Sequence, residues 1–514
     1  MLLLIWGIIV LVGGWIVVFV IVLNSIFQSR NNRDDVLSQI LYYIQTLYVE
    51  EVDARRLADV AIRAMTDKLD IHSMMLEATQ AQASVERAQG SSEAIGISYF
   101  FANDTVVVFR VAIGSAPRNA GILPGDRIMN INDIVVSGVN KNRREINELL
   151  RGQIGTPVDI KVERQGTPDL INFHFVRERT PILSVPAVYM VTDDIGYIRI
   201  STFSATTPAD FRVALNELRA QGMEHLILDL INNRGGNEDA VLAVASQFLD
   251  RDKTIVYRKG RNRQTVHSSQ SGGEMLTGRV VVLVNGRTAS GSEILAGALQ
   301  DWDRAVIVGQ PTIGKGTGQR QASFPDGRIF QLTASRYYTP SGRSIEPVEQ
   351  GADTLQFFTL RNSREVFSGG ITLDYRVFNP AYLTPFFRSL TDNNVFTLTA
   401  RNAVSDNATV LFYNYPDVET FRNNFYFSNH LMNSVQQTAE ASGIEWNEAE
   451  IQQSRQHIER NVKSQMAQNL FGSSALFQIR NEGSSFFQAG LRIISDPELY
   501  ENLLFGIETN SVAE

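Results

Sequence analysis

Residues 279–319 read RVVVLVNGRTASGSEILAGALQDWDRAVIVGQPTIGKGTGQ and decide the fold of this chain. The apolar run 280–284 predicts a buried strand, and the small residues after it predict a tight turn. Residues 293–300 predict a helix, and residues 305–309 predict a second strand before a glycine-rich loop. A strand, a helix and a strand in this order indicate an α/β layer.

The turn and the glycine-rich loop offer a serine and a lysine as candidate catalytic residues. Ser290 stands between the predicted strand and helix, where free backbone N–H groups at a helix N-terminus suit a developing oxyanion. Lys315 stands in the loop between two glycines, which allow the backbone to approach closely. The pair indicates a Ser–Lys dyad. Taken alone, however, a serine in such a turn is more often only a helix N-cap.

A phosphate-binding loop is the alternative interpretation of the same segment. Residues 309–316 read GQPTIGKG and satisfy the GxxxxGK pattern of such loops. Gly316, however, stands where a serine or threonine would bind Mg²⁺. The segment after the lysine is also strand-like, whereas a phosphate loop is followed directly by a helix. These two departures exclude the nucleotide-binding interpretation.

Three segments together resemble the catalytic core of the C-terminal processing proteases of peptidase family S41. They read TASGSEILAGALQD, GQPTIGKGTGQ and LTASRYYTPSGRSIEP. The members of this family are tail-specific serine proteases with a Ser–Lys dyad. The resemblance covers about residues 34–374 and implies that Ser290 is the nucleophile, Lys315 the general base and Gln319 a supporting residue. We expect neither a cofactor nor a metal ion.

A second glycine pair supplies candidates for an oxyanion hole. The loop INNRGGN follows a predicted buried strand and resembles the glycine turn of the family. The resemblance implies that Gly235 and Gly236, with the N–H of Gly291, stabilise the oxyanion. Two positions depart from the family pattern, because Ile231 replaces an arginine and Arg234 replaces a proline. The departures leave open how this loop is held rigid.

The proposed base must be neutral to accept a proton. A free lysine has a pKa of about 10.4 and is protonated at pH 7. Lowering this pKa by about 3 units costs on the order of 4 kcal/mol, which burial supplies. The residues next to Lys315 include no acid that would hold the ammonium, and Gln319 is suited to orient the amine without adding charge.

Residues 92–179 resemble a PDZ domain. The resemblance rests on the segments EAIGISYF and GSAPRNAGILPGDRIMNINDIVV and on the helical segment NRREINELLRG. A PDZ domain binds an extended C-terminal peptide by strand addition, and its backbone N–H groups capture the terminal carboxylate. We expect these donors around Ile95, Gly96 and Ile97. The alternative is a PDZ fold that serves only as a lid or spacer.

Composition and charge limit the function classes. The chain has 514 residues, of which 44% are hydrophobic and 20% are charged, so several globular domains are expected. The formal net charge of −8 argues against a nucleic-acid-binding surface. The absence of cysteine excludes disulfides, a thiol nucleophile and cysteine-ligated metals. None of the six histidines stands in a recognisable catalytic segment.

The N-terminal residues predict a membrane anchor. Residues 2–23 are uncharged and almost wholly apolar, and as a helix they would span about 33 Å, enough for a bilayer. No basic n-region or small-residue cleavage site indicates a signal peptide. Arg30 and Arg33 weakly favour a cytoplasmic body. The family resemblance implies the opposite: one span in a bacterial inner membrane with a periplasmic catalytic body, which we adopt.

The predicted fold is an α/β protease core with a crotonase/ClpP-like layered sheet, a PDZ domain, N-terminal helices and a helical C-terminal extension. The expected domains are the anchor 1–27, a helical segment 28–90, the PDZ domain 91–180, the protease core 181–382 and the extension 383–514. Packing, dimerisation and regulation are equally open as roles for the extension.

These features predict a membrane-anchored serine endopeptidase that cleaves extracytoplasmic proteins near their C-termini. Its expected partners are proteins with exposed C-terminal tails and the membrane, and it could form a homo-oligomer. One alternative is a non-catalytic PDZ scaffold that presents tails to another protease, but a scaffold has no need of a matched serine and lysine. A crotonase-like acyl-CoA enzyme is a third alternative, which would need a CoA site and no PDZ domain.

Overall fold

The computed structural model describes most of the chain. The described residues are 34–93, 95–102, 104–112, 114–164, 166–270, 272–275, 277–347, 356–378 and 384–507. The predicted anchor at residues 2–23 lies outside them. Among the helices that the structure describes, none combines the length and the hydrophobicity that crossing a bilayer requires.

The described chain forms two compact units. The smaller unit consists of residues 34–78 and 319–333, and the larger one of residues 79–318 and 334–507. The N-terminal region is helical, and its elements are α1 (Asp34–Leu47), α2 (Ala54–Thr66), β1 (Met74–Leu76) and α3 (Ala78–Gln89). Helix α2 begins at an aspartate cap, because the Asp53 side chain accepts hydrogen bonds from the N–H groups of Arg55 and Arg56.

The predicted PDZ region is an antiparallel sheet with two helices. Its elements are β2 (Ser91–Ser92), β3 (Ile97–Ala102), β4 (Thr105–Val111), α4 (Ala116–Ala120), β5 (Arg127–Ile131), β6 (Ile134–Val135), α5 (Arg143–Leu150), β7 (Pro157–Glu163), β8 (Ile171–Val176) and β9 (Thr180–Pro181). The strand order is β3-β4-β5-β7-β8, with β6 on β5. Strands β2 and β9 pair with each other, so the chain enters and leaves this region side by side.

The following region alternates strands and helices. Its elements are β10 (Ala187–Met190), β11 (Ile195–Arg199), α6 (Thr207–Ala220), β12 (His225–Asp229), α7 (Glu238–Ala245), β13 (Thr254–Gly260), β14 (Gln264–Ser268), β15 (Val280–Val284), α8 (Gly291–Asp301), β16 (Val306–Gly309), β17 (Thr317–Ser323), β18 (Ile329–Tyr338), β19 (Phe357–Phe358), β20 (Glu365–Val366) and β21 (Tyr375–Arg376). Six of the strands form a central sheet in the order β10-β11-β12-β15-β16-β21, in which only the edge strand β10 is antiparallel to its neighbour.

The central sheet is covered on both faces, as its almost continuous apolar strands require. Side chains alternate along each strand, so one strand contributes to two cores. On β15, Val280 and Val282 belong to the core that includes residues of α6, α7 and α8, whereas Val281 and Leu283 belong to the core on the opposite face. Strand β15 is buried along its whole length and leads directly to the Ser290 turn.

A hairpin and a long strand complete the region. In the larger unit, β13 pairs with β14 and with the last residues of β18. In the smaller unit, β1 pairs with the first residues of β18, with Met75 opposite Phe330. There Asp70 accepts hydrogen bonds from the backbone N–H groups of His72 and Ser73 and from the Thr333 hydroxyl. His72 thus stands at a turn stabilised by an aspartate.

The C-terminal extension is helical, as predicted. Its elements are α9 (Pro385–Asp392), α10 (Val395–Asn414), α11 (Val418–Asn424), α12 (Asn429–Ala441), α13 (Glu448–Phe471), α14 (Ser473–Asn481), α15 (Ser485–Ser495) and α16 (Pro497–Leu504). Helices α9 to α13 form a core of their own with the start of α14. Helices α15 and α16 instead contribute side chains to the second core of the central sheet.

Close contacts join the last two helices to strand β15. A Cβ atom built on Gly490 of α15 would lie 2.8 Å from Cδ2 of Leu283, so a larger residue there would displace the leucine side chain. The Tyr500 hydroxyl of α16 donates to the Val280 carbonyl oxygen and accepts from the Val280 N–H. These helices therefore support the strand that carries the candidate nucleophile.

Candidate active site

Ser290 occupies a strained turn at the carboxyl end of β15. Its φ of +57° and ψ of −118° lie outside the regions that residues with a Cβ atom ordinarily adopt. The turn is held by Thr288, whose hydroxyl donates to the Leu230 carbonyl oxygen at 2.9 Å. Helix α8 begins at Gly291 and is buried along its whole length, whereas Ser290 is only half-buried. A rigid scaffold thus presents one partly accessible serine at a helix N-terminus.

The glycine pair of the preceding loop lies against this turn. Gly235 and Gly236 have φ angles of +85° and +146°, which favour glycine. A Cβ atom built on Gly235 would lie 2.6 Å from the backbone nitrogen of Gly291. One built on Gly236 would lie 2.0 Å from the carbonyl oxygen of Phe203. The structure therefore brings the three predicted oxyanion-hole residues together.

A buried asparagine, which the sequence analysis did not single out, holds this loop. The Asn233 side chain accepts the N–H of Gly235 at 2.8 Å and donates to the Ile200 carbonyl oxygen at 2.9 Å. Its backbone carbonyl oxygen accepts from the N–H of Ala289 and from the hydroxyl of Ser292. Asn233 binds the glycine turn and the serine turn at once. It therefore holds the loop rigid although Ile231 and Arg234 depart from the family pattern.

The same bond changes the expected role of one candidate. The N–H of Gly235 is engaged by Asn233, so Gly235 provides close approach and not a donor. The N–H groups of Gly236 and Gly291 are then the candidate oxyanion donors.

Lys315 lies in a loop that follows β16 and is fixed on both sides. Gly314 has a φ of +80°. A Cβ atom built on Gly316 would lie 2.6 Å from the backbone nitrogen of Glu346. The Gly316 carbonyl oxygen accepts the N–H of Tyr337 on β18 at 2.7 Å. The glycines around the lysine thus permit the close backbone contacts that hold it.

A fully buried glutamate connects the serine turn to the lysine loop. One oxygen of Glu293, Oε2, accepts the N–H of Ser290 at 2.7 Å and the N–H of Lys315 at 2.9 Å. The other, Oε1, accepts the N–H of Gly314 at 2.7 Å and the hydroxyl of Thr312 at 2.6 Å. The backbone nitrogens of Ser290 and Lys315 therefore lie within two hydrogen-bond lengths of each other.

The electrostatics of this cluster lower the pKa of the lysine. Burial lowers the pKa of Lys315, and the negative charge of Glu293 acts in the opposite direction. Burial raises the pKa of Glu293, and its four hydrogen bonds act in the opposite direction. The lysine therefore titrates below its usual range although a carboxylate lies near it.

Sequence reasoning missed Glu293 and Asn233 as parts of the site. The S-x-x-E spacing of Ser290 and Glu293 is the signature of a capping box, in which the glutamate binds the N-cap N–H. That signal predicts the bond to Ser290 but not the bond to Lys315, which is distant in sequence. The predicted supporting residue Gln319 lies on β17, within the smaller unit.

The predicted peptide-binding residues lie at the start of β3. Ile95 is buried, and Gly96 has a φ of +79°. Ile97 begins β3 and pairs with Val111 of β4. Strand β3 stands at one end of the described sheet. The Tyr99 hydroxyl of β3 bonds to α5 at the Arg143 carbonyl oxygen and the Asn147 side chain, so this helix lies beside the strand.

Comparison with known proteins identifies the family. The chain is 31% identical over 332 residues to the carboxy-terminal-processing protease of Bartonella bacilliformis, covering 62% of this chain and 75% of that protein. The chain belongs to peptidase family S41. Its family profile matches residues 194–353, and a PDZ domain profile matches residues 93–174. The profile of a further family, one of unknown function, matches residues 386–472.

The chain is also similar to a second bacterial protease and to a protease of known structure. The carboxy-terminal processing protease CtpA of Bacillus subtilis is 31% identical, with 62% of this chain and 67% of that protein covered. Superposition on a photosystem II D1 C-terminal processing protease covers 66% of this chain and 86% of that chain, with 28% identity and a TM-score of 0.37. The predicted family, the α/β fold with a PDZ domain and the enzyme class, a serine-type endopeptidase, are confirmed.

Proposed function

We propose that this S41 protease cleaves proteins near exposed C-termini with Ser290 as nucleophile and Lys315 as general base. The observation that carries the proposal is the shared bond to Glu293, since one carboxylate oxygen binds the backbones of both residues. The strained, half-buried serine turn and the lowered pKa of Lys315 support it further. In our proposal Gln319 orients the lysine amine.

The proposed reaction has two steps. The Ser290 hydroxyl attacks the scissile carbonyl carbon and transfers its proton to the neutral Nζ of Lys315. The N–H groups of Gly236 and Gly291 then stabilise the oxyanion, and the helix N-terminus of α8 adds a favourable dipole. The lysine ammonium protonates the leaving amine as the C–N bond breaks. A water molecule, deprotonated by the same lysine, hydrolyses the acyl-enzyme and restores the serine.

The proposed recognition step uses the edge of the PDZ sheet. An extended substrate tail would add to β3 as a further strand, and the N–H groups around Ile95, Gly96 and Ile97 would bind its terminal carboxylate. We expect a peptide with a free C-terminus to bind and its C-terminally amidated analogue to bind at least tenfold more weakly, measured by fluorescence polarisation. Equal affinities would contradict the carboxylate site.

The proposed location is a bacterial inner membrane, with the catalytic body in the periplasm. The apolar residues 2–23 support one membrane span. We expect the full chain to sediment with membranes and a chain without residues 2–23 to be released. A protease added outside spheroplasts should reach the body of the full chain. A body that is protected until lysis would contradict the orientation.

The catalytic proposal is tested with the full chain in detergent. The wild type, Ser290→Ala and Lys315→Ala are incubated with a protein that ends in an apolar, unstructured tail, and mass spectrometry identifies the fragments. Ser246→Ala, which changes a buried serine that bonds within its own helix, is the matched control. We expect cleavage by the wild type and this control only. Cleavage by Ser290→Ala would place the nucleophile elsewhere, and tail binding without any cleavage would favour a scaffold.

A further inference from the structure

Glu293 binds more groups than the cap of one helix requires. The glutamate of a capping box binds the N–H of its own N-cap residue, here Ser290. In this chain the same oxygen also binds the N–H of Lys315, and the other oxygen binds Thr312 and Gly314. Three of the four donors belong to a loop distant in sequence, so the carboxylate joins two separate segments.

We propose that Glu293 is a positioning residue that fixes the distance between the serine nucleophile and the lysine base by binding both backbones with one carboxylate. This inference rests on the proposed Ser–Lys mechanism. No step of that mechanism assigns a role to Glu293. The residue acts through Ser290 and Lys315 and does not itself touch the reacting atoms.

The number of donors argues for positioning and against proton transfer. An ionised carboxylate offers about four acceptor sites, and in Glu293 all four are used. Three of the four donors are backbone N–H groups, which cannot accept a hydrogen bond from a protonated carboxyl, so the arrangement favours the ionised form. With every acceptor site engaged, Glu293 cannot take the serine proton, and that role is left to Lys315.

The charge of Glu293 gives the proposal a second consequence. This charge stabilises the ammonium form of Lys315 and so opposes the effect of burial on the pKa of the lysine. The other acidic groups on the segments packed against the lysine loop have partners of their own. Glu346 lies 3.2 Å from Arg336, and Glu238 accepts a hydrogen bond from the Tyr337 hydroxyl. Removing the charge at residue 293 while keeping the backbone bonds should therefore lower the pKa of Lys315.

Glutamine is the substitution that separates the two consequences. Its amide nitrogen fits best in place of Oε1, because the Thr312 hydroxyl there can rotate to accept a hydrogen bond. Its oxygen can then keep the bonds to Ser290 and Lys315, whereas the bond from Thr312 is reversed and the Gly314 N–H faces an amide N–H instead of an acceptor. Glu293→Ala removes the charge and the clamp together.

The experiment compares kcat, KM and the pH profile of kcat for full-length variants. We expect Glu293→Ala to lower kcat about 100-fold with little change in KM, because the reacting groups lose their alignment. Glu293→Gln should retain most of the kcat that Glu293→Ala loses. The acidic limb of its kcat–pH profile should shift to lower pH. Thr312→Val removes one of the four donors to Glu293, so its kcat should lie between those of the wild type and Glu293→Ala.

Tyr500→Phe is the matched control for a general loss of stability. It removes buried hydrogen bonds at the opposite end of strand β15 and should lower the melting temperature while kcat stays at the wild-type value. If Glu293→Ala, like Tyr500→Phe, has a lower melting temperature but keeps the wild-type kcat, the proposal is overturned. An acidic limb that does not move in Glu293→Gln would also overturn it.

Two reference variants keep this inference distinct from the proposed function. If Ser290→Ala or Lys315→Ala still cleaves, the proposed dyad is wrong. If both are inactive and Glu293→Ala retains wild-type kcat, only the positioning role fails. Should Glu293→Ala not fold, Glu293→Asp takes its place, because its side chain is one methylene shorter and withdraws the carboxylate from both backbones while keeping the charge.

Discussion

Helix α8 has a fully buried carboxylate at each end, and the two carboxylates have different partners. Glu293, at the N-terminus, accepts three backbone N–H groups and a hydroxyl, and its position suits the helix dipole. Asp301, at the C-terminus, stands where the dipole disfavours a negative charge and lies 3.0 Å from the buried guanidinium of Arg343. The Glu293 carboxylate is bound by four neutral donors, and the Asp301 carboxylate by a cation and one backbone N–H, that of Ser341.

The different partners of the two carboxylates indicate that the N-terminal end of α8 serves catalysis and the C-terminal end serves stability. An arginine beside Glu293 would add a fixed positive charge near the proposed base. Neutral donors instead fix the geometry of the two loops without adding a fixed charge. Near Asp301 no reacting group needs to be tuned, and an ion pair suffices. Beside it, the Gln300 amide accepts a hydrogen bond from Arg343 and donates to Thr372 and Asp374.

The largest expected effect is at the C-terminal end of the helix. Arg343→Met leaves Asp301 buried without its cation, and removing one partner of a buried pair costs about 3–5 kcal/mol of unfolding free energy. We expect a large decrease in the denaturation midpoint, measured by urea unfolding, while kcat per folded molecule is kept. A kcat that falls at temperatures where the variant is fully folded would contradict the separation of the two ends.

A matched pair of buried amides sharpens the comparison. Asn233, beside the serine turn, and Gln300, beside Asp301, are both fully buried, and each makes hydrogen bonds through both atoms of its amide. Changing either to alanine should cost about 1–3 kcal/mol of unfolding free energy. Only Asn233→Ala should also lower kcat, by about 100-fold, because it releases the glycine turn.

Measuring kcat and urea unfolding for both amide variants distinguishes positioning from stability. Equal losses of kcat in Asn233→Ala and Gln300→Ala at similar stability would contradict the special role of the N-terminal end.

The smallest expected effect is the pH dependence of stability due to Lys315. Its pKa is lowered in the folded chain, so between that value and the usual lysine value the unfolded chain binds more protons. Stability should therefore rise with pH across this window. In Lys315→Met this part of the dependence should be absent, as urea unfolding at a series of pH values would reveal. A slope that persists unchanged would assign it to another group.

The sequence was sufficient for the parts of the site that are local in the chain. Ser290 and Lys315 stand in short segments whose small residues, glycines and flanking strands predict a turn and a close backbone approach. The structure has both features, with a left-handed φ at Ser290 and tight contacts around Gly316. The parallel order of the strands also follows from their alternation with helices.

The parts that were missed depend on contacts between distant segments. The capping-box spacing connects Glu293 only to the start of its own helix, and no neighbour of Lys315 in sequence is acidic. The bond from Glu293 to the lysine loop therefore had no local signal. The last helices give a similar example. Helical periodicity predicts that α15 has an apolar face, but not that Gly490 lets it pack against Leu283 of the central sheet.

The most direct test of the Ser–Lys site is labelling of the full chain with a fluorophosphonate, which reacts with an activated serine. Peptide mapping should find one adduct, on Ser290, and the labelling rate should fall at least 100-fold in Lys315→Ala. It should fall in Glu293→Ala and stay at the wild-type value in folded Arg343→Met. An adduct on another serine, or an unchanged rate in Lys315→Ala, would contradict the account.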